Sequence, residues 1–458
     1  MDVRIAGETI AAMDVELPRE KGVATIDAAG GALLPGLHDH HLHLFALAAA
    51  KTSVSCGPPD VCNREDLGRA LEAAVLNRGW IRGVGYHETV AGDLDRWALD
   101  GLGPSDVPMR IQHRSGALWM LNSAAVGTLE LEGGSLPEGV ERSASGKITG
   151  RVFYQDNWLR QRIGPSSVPD LSEVGRELAS FGVTAVMDAT PDKGSAEYKA
   201  LSDAVAGKEM LQRVVAMGGI DGAPPPGAQI ELGPVKIILR EPALPVFDEL
   251  VDAIRKAHGA RRATAFHCVT RAELVMAATA LREAGPCPGD RIEHASVAPT
   301  ELVELLAELD LWVVTQPGFI YERGDVYALD VDAADRAWLY RGRGFLDGAV
   351  ALGAGTDAPY GDPDPWLAIR AAVHRRTRAG RELGKSEALT PERALALFTS
   401  PIDAPGRPPA QLATGDPADL CLVDLSWQRF RERLSRDHVA LTLYRGEITW
   451  RRDGELGC

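Results

Sequence analysis

Residues 34–44 read Leu-Pro-Gly-Leu-His-Asp-His-His-Leu-His-Leu, and this segment holds four of the chain's eleven histidines. Within it, His41 and His43 are separated by a single residue. Because alternate residues of a β-strand point to the same face, both imidazoles can reach one metal ion from the end of a strand. Neutral imidazole is the commonest metal ligand in proteins, and two of them suit zinc, iron or manganese. The segment therefore predicts a metal site at a strand end.

Three more residues of metal-binding type follow strand-like segments further along the chain. His267 ends Ala-Thr-Ala-Phe-His, His294 ends Arg-Ile-Glu-His, and Asp357 follows Leu-Gly-Ala-Gly-Thr. A polar loop or a buried core histidine would explain each histidine taken alone. Their shared context instead indicates one site, because the C-terminal ends of parallel barrel strands converge on one face.

Strand-like and helix-like segments alternate through the middle of the chain, which predicts βα units and a parallel sheet. The number of units favours a closed (β/α)8 TIM barrel, and 458 residues are enough for one. The predicted strands are 108–112, 183–187, 235–239, 264–267, 291–294, 312–315 and 351–355. The predicted helices are 67–77, 172–181, 245–258, 271–284, 299–309 and 391–398.

Short apolar segments punctuated by glycine occur at both ends of the chain, and they are typical of β-strands. One of the N-terminal segments is 23–27. We expect the two ends to form one small β-sandwich domain together. The predicted division assigns 1–35 and 405–458 to this domain and 36–404 to the barrel. A polar, glycine-rich insertion is expected around 126–165.

Composition excludes several classes of partner. The formal net charge is −15 and no basic stripe is visible, so we expect no nucleic-acid partner. No apolar run is long enough to cross a membrane, and no secretory signal is recognisable. Six cysteines without a Cys-x-x-Cys pair favour a reduced, cytoplasmic setting. A homo-oligomer is the default expectation for such a protein.

The motif Pro35-Gly-Leu-His-Asp-His-His-Leu-His resembles the first-strand signature of the amidohydrolase superfamily, P-G-x-x-D-x-H-x-H. The resemblance extends over essentially the whole chain, in the family's order. Segments similar to the type-3 branch, which includes proteins like N-substituted formamide deformylase, are 83–87, 113–123 and 182–188. The chain departs from many members at Gly116-Ala117, where they carry Gly-His. A different substrate contact is expected at that point.

This resemblance implies that four histidines are metal ligands and that Asp357 is both a ligand and the general base. The four are His41, His43, His267 and His294. One or two divalent ions are implied, zinc first, with manganese or iron as alternatives. Such an ion lowers the pKa of a bound water from about 15.7 to about 7. Asp357 would accept the proton of that water and pass it to the leaving nitrogen.

Lys236 lies in the apolar segment Val-Lys-Ile-Ile-Leu, where an unpaired ammonium group is costly. In this superfamily a lysine on a strand can be carboxylated and bridge two metal ions, and Lys236 matches that position. Two alternatives remain open. The side chain could point to solvent at the strand end, or it could pair with Glu241 or Asp188.

The candidates for substrate contact are less specific. Tyr86 and His87 follow one apolar segment, and His113 and Arg114 follow another, so either pair could bind a carbonyl or carboxylate group. A supporting or loop role would explain each equally well.

We therefore predict hydrolysis of a non-peptide C–N bond in a small molecule. The alternatives are a deaminase of a heterocycle and, less favoured, a catalytically inactive binding relative. A phosphotriester or lactone hydrolase would share the barrel. It is disfavoured because the type-3 segments point to C–N substrates.

Overall fold

The computed structural model describes residues 1–20, 22–164, 168–408 and 412–452. The strands are β1 Asp2–Ala6, β2 Thr9–Asp14, β3 Ala32–Pro35, β4 Leu37–Leu42, β5 Val54–Ser55, β6 Ile81–Tyr86, β7 Met109–His113, β8 Leu118–Leu121, β9 Val140–Arg142, β10 Ile148–Phe153, β11 Val183–Asp188, β12 Arg213–Gly218, β13 Glu231–Ile238, β14 Thr264–Cys268, β15 Arg291–His294, β16 Trp312–Thr315, β17 Leu352–Ala354, β18 Leu420–Val423, β19 Val439–Tyr444 and β20 Glu447–Arg451.

The α-helices are α1 Leu44–Lys51, α2 Arg64–Glu72, α3 Glu88–Ala91, α4 Arg96–Asp100, α5 Ser123–Thr128, α6 Asp156–Ile163, α7 Ser172–Ser180, α8 Ser195–Ala206, α9 Phe247–Gly259, α10 Arg271–Ala284, α11 Thr300–Glu308, α12 Gly318–Asp330, α13 Arg343–Asp347, α14 Pro365–His374, α15 Pro391–Ala396 and α16 Trp427–Phe430. Short 3₁₀ turns are Glu241–Ala243, Arg336–Trp338, Lys385–Glu387 and Arg436–His438.

An eight-stranded parallel sheet forms the barrel, in the order β17-β16-β15-β14-β13-β12-β11-β4. The first and last strands approach each other at their C-terminal ends. There the Asp357 backbone N–H donates to the His41 carbonyl at 2.7 Å, and the His43 N–H donates to the Ala358 carbonyl at 2.8 Å. The predicted (β/α)8 barrel is confirmed.

Both ends of the chain build the small β domain, as predicted. The sheet β20-β19-β18-β3 and the hairpin β1-β2 share one apolar core, which includes Ile10, Leu420 and Leu441. The predicted strand at 23–27 is wrong, because these residues have no regular secondary structure. They pair with no neighbouring strand, and Val23 is exposed.

Residues Phe45–Pro169 form a separate compact unit, while Met1–Leu44 and Asp170–Cys458 form the other. The unit Phe45–Pro169 is built on the six-stranded mixed sheet β5-β6-β7-β8-β10-β9. The strand predicted at 108–112 exists as β7, but it belongs to this sheet and not to the barrel. The barrel strand that replaces it is β12, which the sequence reading missed.

The insertion predicted around 126–165 lies inside the unit Phe45–Pro169. The predicted domain boundaries at 35/36 and 404/405 stay a prediction. Among the described residues, no helix is long and apolar enough to cross a membrane.

Candidate active site

The six predicted metal-binding residues lie on or directly after strands of the barrel. His41 is on β4 and His43 follows it, Lys236 is on β13, His267 is on β14, His294 ends β15, and Asp357 follows β17. Three of the imidazoles stand close together. The ring centroids of His41 and His294 are 4.8 Å apart, and those of His267 and His294 are 4.5 Å apart. The barrel therefore gathers residues that are more than 300 positions apart in sequence.

His41, His43 and Asp357 meet at a single carboxylate oxygen. The Nε2 atoms of His41 and His43 lie 3.5 Å and 3.2 Å from Asp357 Oδ1. Asp357 is 7% exposed and has a φ of 57°, a left-handed conformation that is uncommon for a residue with a side chain. Such backbone conformations persist where the surrounding structure holds them, often at functional sites.

The other ring nitrogen of each of these histidines is held by a neighbour. His41 Nδ1 contacts the carboxylate of Glu293, which can only accept, so Nδ1 carries the proton. His43 Nδ1 lies 3.1 Å from Thr190 Oγ1, and His294 Nδ1 lies 2.7 Å from Gln316 Oε1. A proton on Nδ1 leaves the Nε2 lone pair of a neutral imidazole available to a metal ion.

Burial keeps the clustered imidazoles neutral. Desolvation, followed by the positive charge of Lys236, lowers the pKa of His41 well below its usual value. Desolvation and then Lys236 also lower the pKa of His267, to about 3. The pKa of His294 is well below its usual value, mainly because the ring is buried beside His267. In its neutral form His41 therefore directs a lone pair at a carboxylate oxygen, and a cation between the two would relieve the repulsion.

Lys236 is 6% exposed, which removes the solvent-facing alternative. Its Nζ atom has no hydrogen-bond partner among the described residues. Desolvation lowers the pKa of Lys236 to about 8. Pairing with Glu241 or Asp188 is also removed, because Nζ bonds neither carboxylate, and Asp188 Oδ1 instead pairs with Lys193 at 2.5 Å. A buried amine without a partner needs a compensating group.

Two carboxylates position the backbone segments that carry or contact the proposed ligands. Asp39 accepts hydrogen bonds from the backbone N–H groups of His41 and Thr356, at 3.0 and 3.1 Å, and thereby ties the end of β4 to the segment that carries Asp357. Burial raises the pKa of Asp39 to about 7. Asp188 accepts from the Thr190 N–H at 3.0 Å and so positions the hydroxyl that contacts His43.

Gly355 lets the end of β17 approach β4 closely. A Cβ atom at this position would lie 2.5 Å from the His41 backbone nitrogen. Gly355, the second glycine in Gly-Ala-Gly-Thr-Asp, therefore allows one backbone to pack closely against the other.

The predicted substrate-contact residues lie in the unit Phe45–Pro169, where His87 and His113 surround Glu88. Their Nε2 atoms are 3.5 Å and 3.2 Å from Glu88 Oε2. Tyr86 is buried, and its hydroxyl donates to the Gly92 carbonyl at 2.5 Å. Arg114 follows β7 and donates its backbone N–H to the Tyr86 carbonyl at 2.8 Å. Contact of these residues with substrate stays a prediction.

A third group joins His258, Cys287 and Asp290 near the N-terminal ends of β14 and β15. The buried Asp290 accepts hydrogen bonds from the Thr264 N–H at 2.7 Å and the Cys287 N–H at 2.8 Å, and it pairs with His258 at 3.0 Å. Its oxygens are occupied by these partners. The group therefore fastens the start of two barrel strands.

Comparison with known proteins agrees with this arrangement. The model of the amidohydrolase family (Amidohydro_3) matches residues 24–450. The chain belongs to the amidohydrolase family. It is therefore an enzyme, a hydrolase acting on carbon–nitrogen bonds of a small molecule, and its His/Asp group is of a kind able to hold a metal ion.

Individual relatives are distant but extend over most of the chain. An N-substituted formamide deformylase of Arthrobacter pascens is 26% identical, over 92% of this chain and 89% of that protein. An uncharacterized metal-dependent hydrolase from Pyrococcus furiosus has a TM-score of 0.68 at 22% identity, covering 92% of this chain and 94% of the other. A second one, from Pyrococcus horikoshii, has a TM-score of 0.67 at 21% identity and covers 87% of each chain. These two structures support the fold.

Glu293, Gln316 and Thr190 were missed by the sequence reading, although each contacts a predicted ligand. A signal existed for Glu293. Arg291 and Glu293 are oppositely charged residues at alternate positions of a predicted barrel strand, and the structure pairs them, both buried, at 2.5 Å. Gln316 and Thr190 carry no such signal, because single polar residues after strands are common.

Proposed function

We propose that the protein hydrolyses a non-peptide amide bond of a small molecule at the His41–His43–Asp357 group. The observation that carries this proposal is the pair of Nε2 atoms facing one oxygen of Asp357, at 3.5 and 3.2 Å. The group stands at the C-terminal ends of barrel strands, where enzymes with this fold carry their active sites.

The residues present suit one or two divalent metal ions, with zinc as the first candidate. The residues that would hold them are His41, His43, Lys236, His267, His294 and Asp357. Support comes from the available Nε2 lone pairs and from the buried, unpartnered Lys236 amine. A bound ion supplies Lewis acidity, which polarises the substrate carbonyl and makes a water molecule more acidic.

Asp357 is proposed as the general base. Its carboxylate accepts a proton from the attacking water as the water oxygen bonds to the carbonyl carbon. When the C–N bond breaks, Asp357 returns that proton to the leaving nitrogen. The products are a carboxylic acid and an amine.

Lys236 is proposed to react with carbon dioxide. Its neutral amine would bond to the carbon atom and release a proton, which leaves a carbamate. The carbamate converts a buried cation into an anionic ligand, and so it would remove the cost of an unpartnered ammonium group. Lys236→Met should lower metal content by one equivalent if the site holds two ions. Unchanged content would reject this role.

The name of the Arthrobacter pascens relative favours formamides and other N-acyl compounds as the first substrates to examine. We also predict that the substrate contacts Tyr86, His87, His113 and Arg114. The cytoplasmic setting and a homo-oligomeric assembly also stay predictions.

The decisive experiment measures metal per chain in protein produced with zinc, manganese and iron available, followed by assays with N-formyl, N-acyl and cyclic amides. We expect about one or two equivalents, lost on chelation together with activity. Absence of metal under every condition would reject the proposal and favour the binding-protein alternative. Ammonia release from heterocycles without amide hydrolysis would favour the deaminase.

A further inference from the structure

A second feature of the barrel face is a cavity of about 640 Å³ in the unit that carries the metal-type residues. Its wall includes Val269, two residues beyond His267, and Ser296, two residues beyond His294. The cavity therefore begins where the barrel strands that carry two proposed ligands end. The cavity and the proposed ligands His267 and His294 therefore lie at the same ends of these strands.

The cavity wall is strongly acidic. It contains four carboxylates and one guanidinium group, that of Arg271. The carboxylates belong to Glu241, Asp330, Asp332 and Asp335. Arg271 Nε lies 3.5 Å from Asp335, and the other three carboxylates have no ion pair in the described part of the chain. The lining residues therefore carry excess negative charge, while the partly buried Arg323 lies close enough to Tyr327 and Tyr340 to interact with them.

The position of Asp330 adds to this charge at a cost in stability. It is the last residue of α12, and Asp332 follows two positions later. A carboxylate at the C-terminal end of a helix faces the negative end of the helix dipole, which is unfavourable. Asp330 and Asp332 are both exposed, and they place negative potential at this side of the cavity.

Two oxygen atoms of the wall have no hydrogen bond of normal geometry in the described part of the chain. Asp335 Oδ1 is buried and accepts no hydrogen bond among the described residues. Ser296 is 2% exposed, and its hydroxyl lies near that of Tyr340 without a hydrogen bond of normal geometry. Buried oxygens of this kind normally take part in a hydrogen bond, so a ligand with N–H donors would supply the hydrogen bonds that are missing.

Aromatic rings complete the wall. Tyr327 and Tyr340 are stacked, with centroids 5.9 Å apart and an interplanar angle of 26°, and both line the cavity. A ring face attracts a nearby cation. Carboxylates, unpartnered acceptors and aromatic rings together suit an alkylammonium group.

We propose that this cavity binds a protonated amino group of the substrate, so that the enzyme prefers N-acyl compounds with a second, cationic nitrogen. This inference rests on the proposed amide hydrolysis for its catalytic meaning. The ammonium group donates to Asp335 and Ser296, and the carboxylates of Asp330 and Asp332 attract it from the rim.

The test compares matched substrates, the mono-N-formyl diamines with three to six methylenes and the N-alkylformamides in which a methyl group replaces the ammonium. We expect kcat/KM to be about tenfold or more higher for the best cationic member, mainly through a lower KM. The preference should weaken as salt is raised. Equal kcat/KM values for the two series would overturn the proposal.

Asp330→Asn with Asp332→Asn removes two charges from the rim without touching the barrel ligands. We expect the cationic preference to fall about three- to tenfold, while kcat/KM for the neutral formamides stays unchanged. Folding should be retained, because these charges oppose the helix dipole. Asp252→Asn, at an exposed position of α9, is the matched control and should change neither series. A full preference in the double variant would overturn the proposal.

Calorimetric binding of the same compounds separates this inference from the proposed function. Preferential binding of the cationic formamides without turnover would reject amide hydrolysis and leave the cavity assignment standing. Turnover of neutral formamides without tighter binding of the cationic ones would reject the cavity assignment alone. Calcium binding that Asp330→Asn with Asp332→Asn abolishes, with no amine binding, would identify a metal-ion site instead and overturn the proposal.

Discussion

Two groups of two histidines and one carboxylate occur among the described residues, one in the barrel and one in the unit Phe45–Pro169. In the barrel, His41 and His43 lie 3.5 and 3.2 Å from Asp357. In the other unit, His87 and His113 lie at the same two distances, 3.5 and 3.2 Å, from Glu88. Residue types and Nε2–oxygen distances therefore do not distinguish the two groups.

The difference lies at the opposite ring nitrogen. His41 Nδ1 faces the Glu293 carboxylate and must donate, so its Nε2 presents a lone pair. His87 and His113 instead accept backbone N–H groups at Nδ1, from Thr89 at 3.3 Å and Ser115 at 3.2 Å. With Nδ1 as the acceptor, the hydroxyls of Thr89 and Ser115, at 2.9 and 2.7 Å, can donate to it as well, and the Nε2 atoms carry the protons that Glu88 accepts. The partner behind each ring decides whether the group suits a cation.

Burial follows the same division. The difference is in the carboxylates, because the side chain of Asp357 is 9% exposed and that of Glu88 is 43% exposed. Although burial acts to raise it, the pKa of Glu88 is held below its usual value by a backbone hydrogen bond and by His113. Glu88 and its two histidines thus form a group held together by its own hydrogen bonds.

The largest effect is expected from His41→Ala with His43→Ala. Loss of two imidazole ligands should remove the metal and abolish turnover, because the remaining proposed ligands would be too few to hold the ion. Metal analysis and activity on the best amide would measure this. His374→Ala, at an exposed histidine outside the three groups, is the control. Full metal content in the double variant would contradict the proposal that the barrel group binds metal and the other group does not.

Asp357→Asn should lower kcat by about 10²- to 10⁴-fold, because an amide cannot accept the proton of water. Much of the metal should be retained, since the histidines remain. Glu88→Gln is the counterpart in the other group and should leave kcat within about twofold. Steady-state kinetics of both variants test the assignment, and normal kcat for Asp357→Asn would remove it as the base.

Glu293→Gln should weaken metal affinity by about 10- to 100-fold, because a neutral amide accepts the His41 Nδ1 proton more weakly than a carboxylate and can also turn its NH2 group towards the ring. Competition with a chelating dye would measure the affinity. Glu308→Gln, at an exposed glutamate on α11, serves as the control. If affinity is unchanged, the partner behind the ring does not decide the chemistry.

The smallest effect on metal is expected from His87→Ala with His113→Ala. Metal content should stay the same, and stability should fall by only about 1 kcal/mol or less, because the lost hydrogen bonds reach a partly exposed carboxylate. Metal analysis and denaturant unfolding give these values. Loss of metal would show that both groups bind it. A raised KM with intact metal would instead support substrate contact by these histidines.

Much of the fold could be predicted because it depends on local patterns. The alternation of apolar strands and amphipathic helices indicated the barrel, and α10 was predicted at its observed bounds. The exceptions have physical reasons. The apolar segment 23–27 lacks a neighbouring strand, and β7 looks like a barrel strand although it pairs with β6 and β8. A single strand's sequence does not state which sheet completes its hydrogen bonds.

The sequence by itself determined the fold class, the family and the types of residue available at the barrel's strand ends. Only the tertiary structure decided which polar groups face each other across distances of more than 100 residues. Glu293 behind His41 and the unpartnered Lys236 are products of such packing, whereas the N–H groups behind His87 and His113 come from residues two positions away. Protonation and ligand preference depend on these neighbours and on burial, which no motif records.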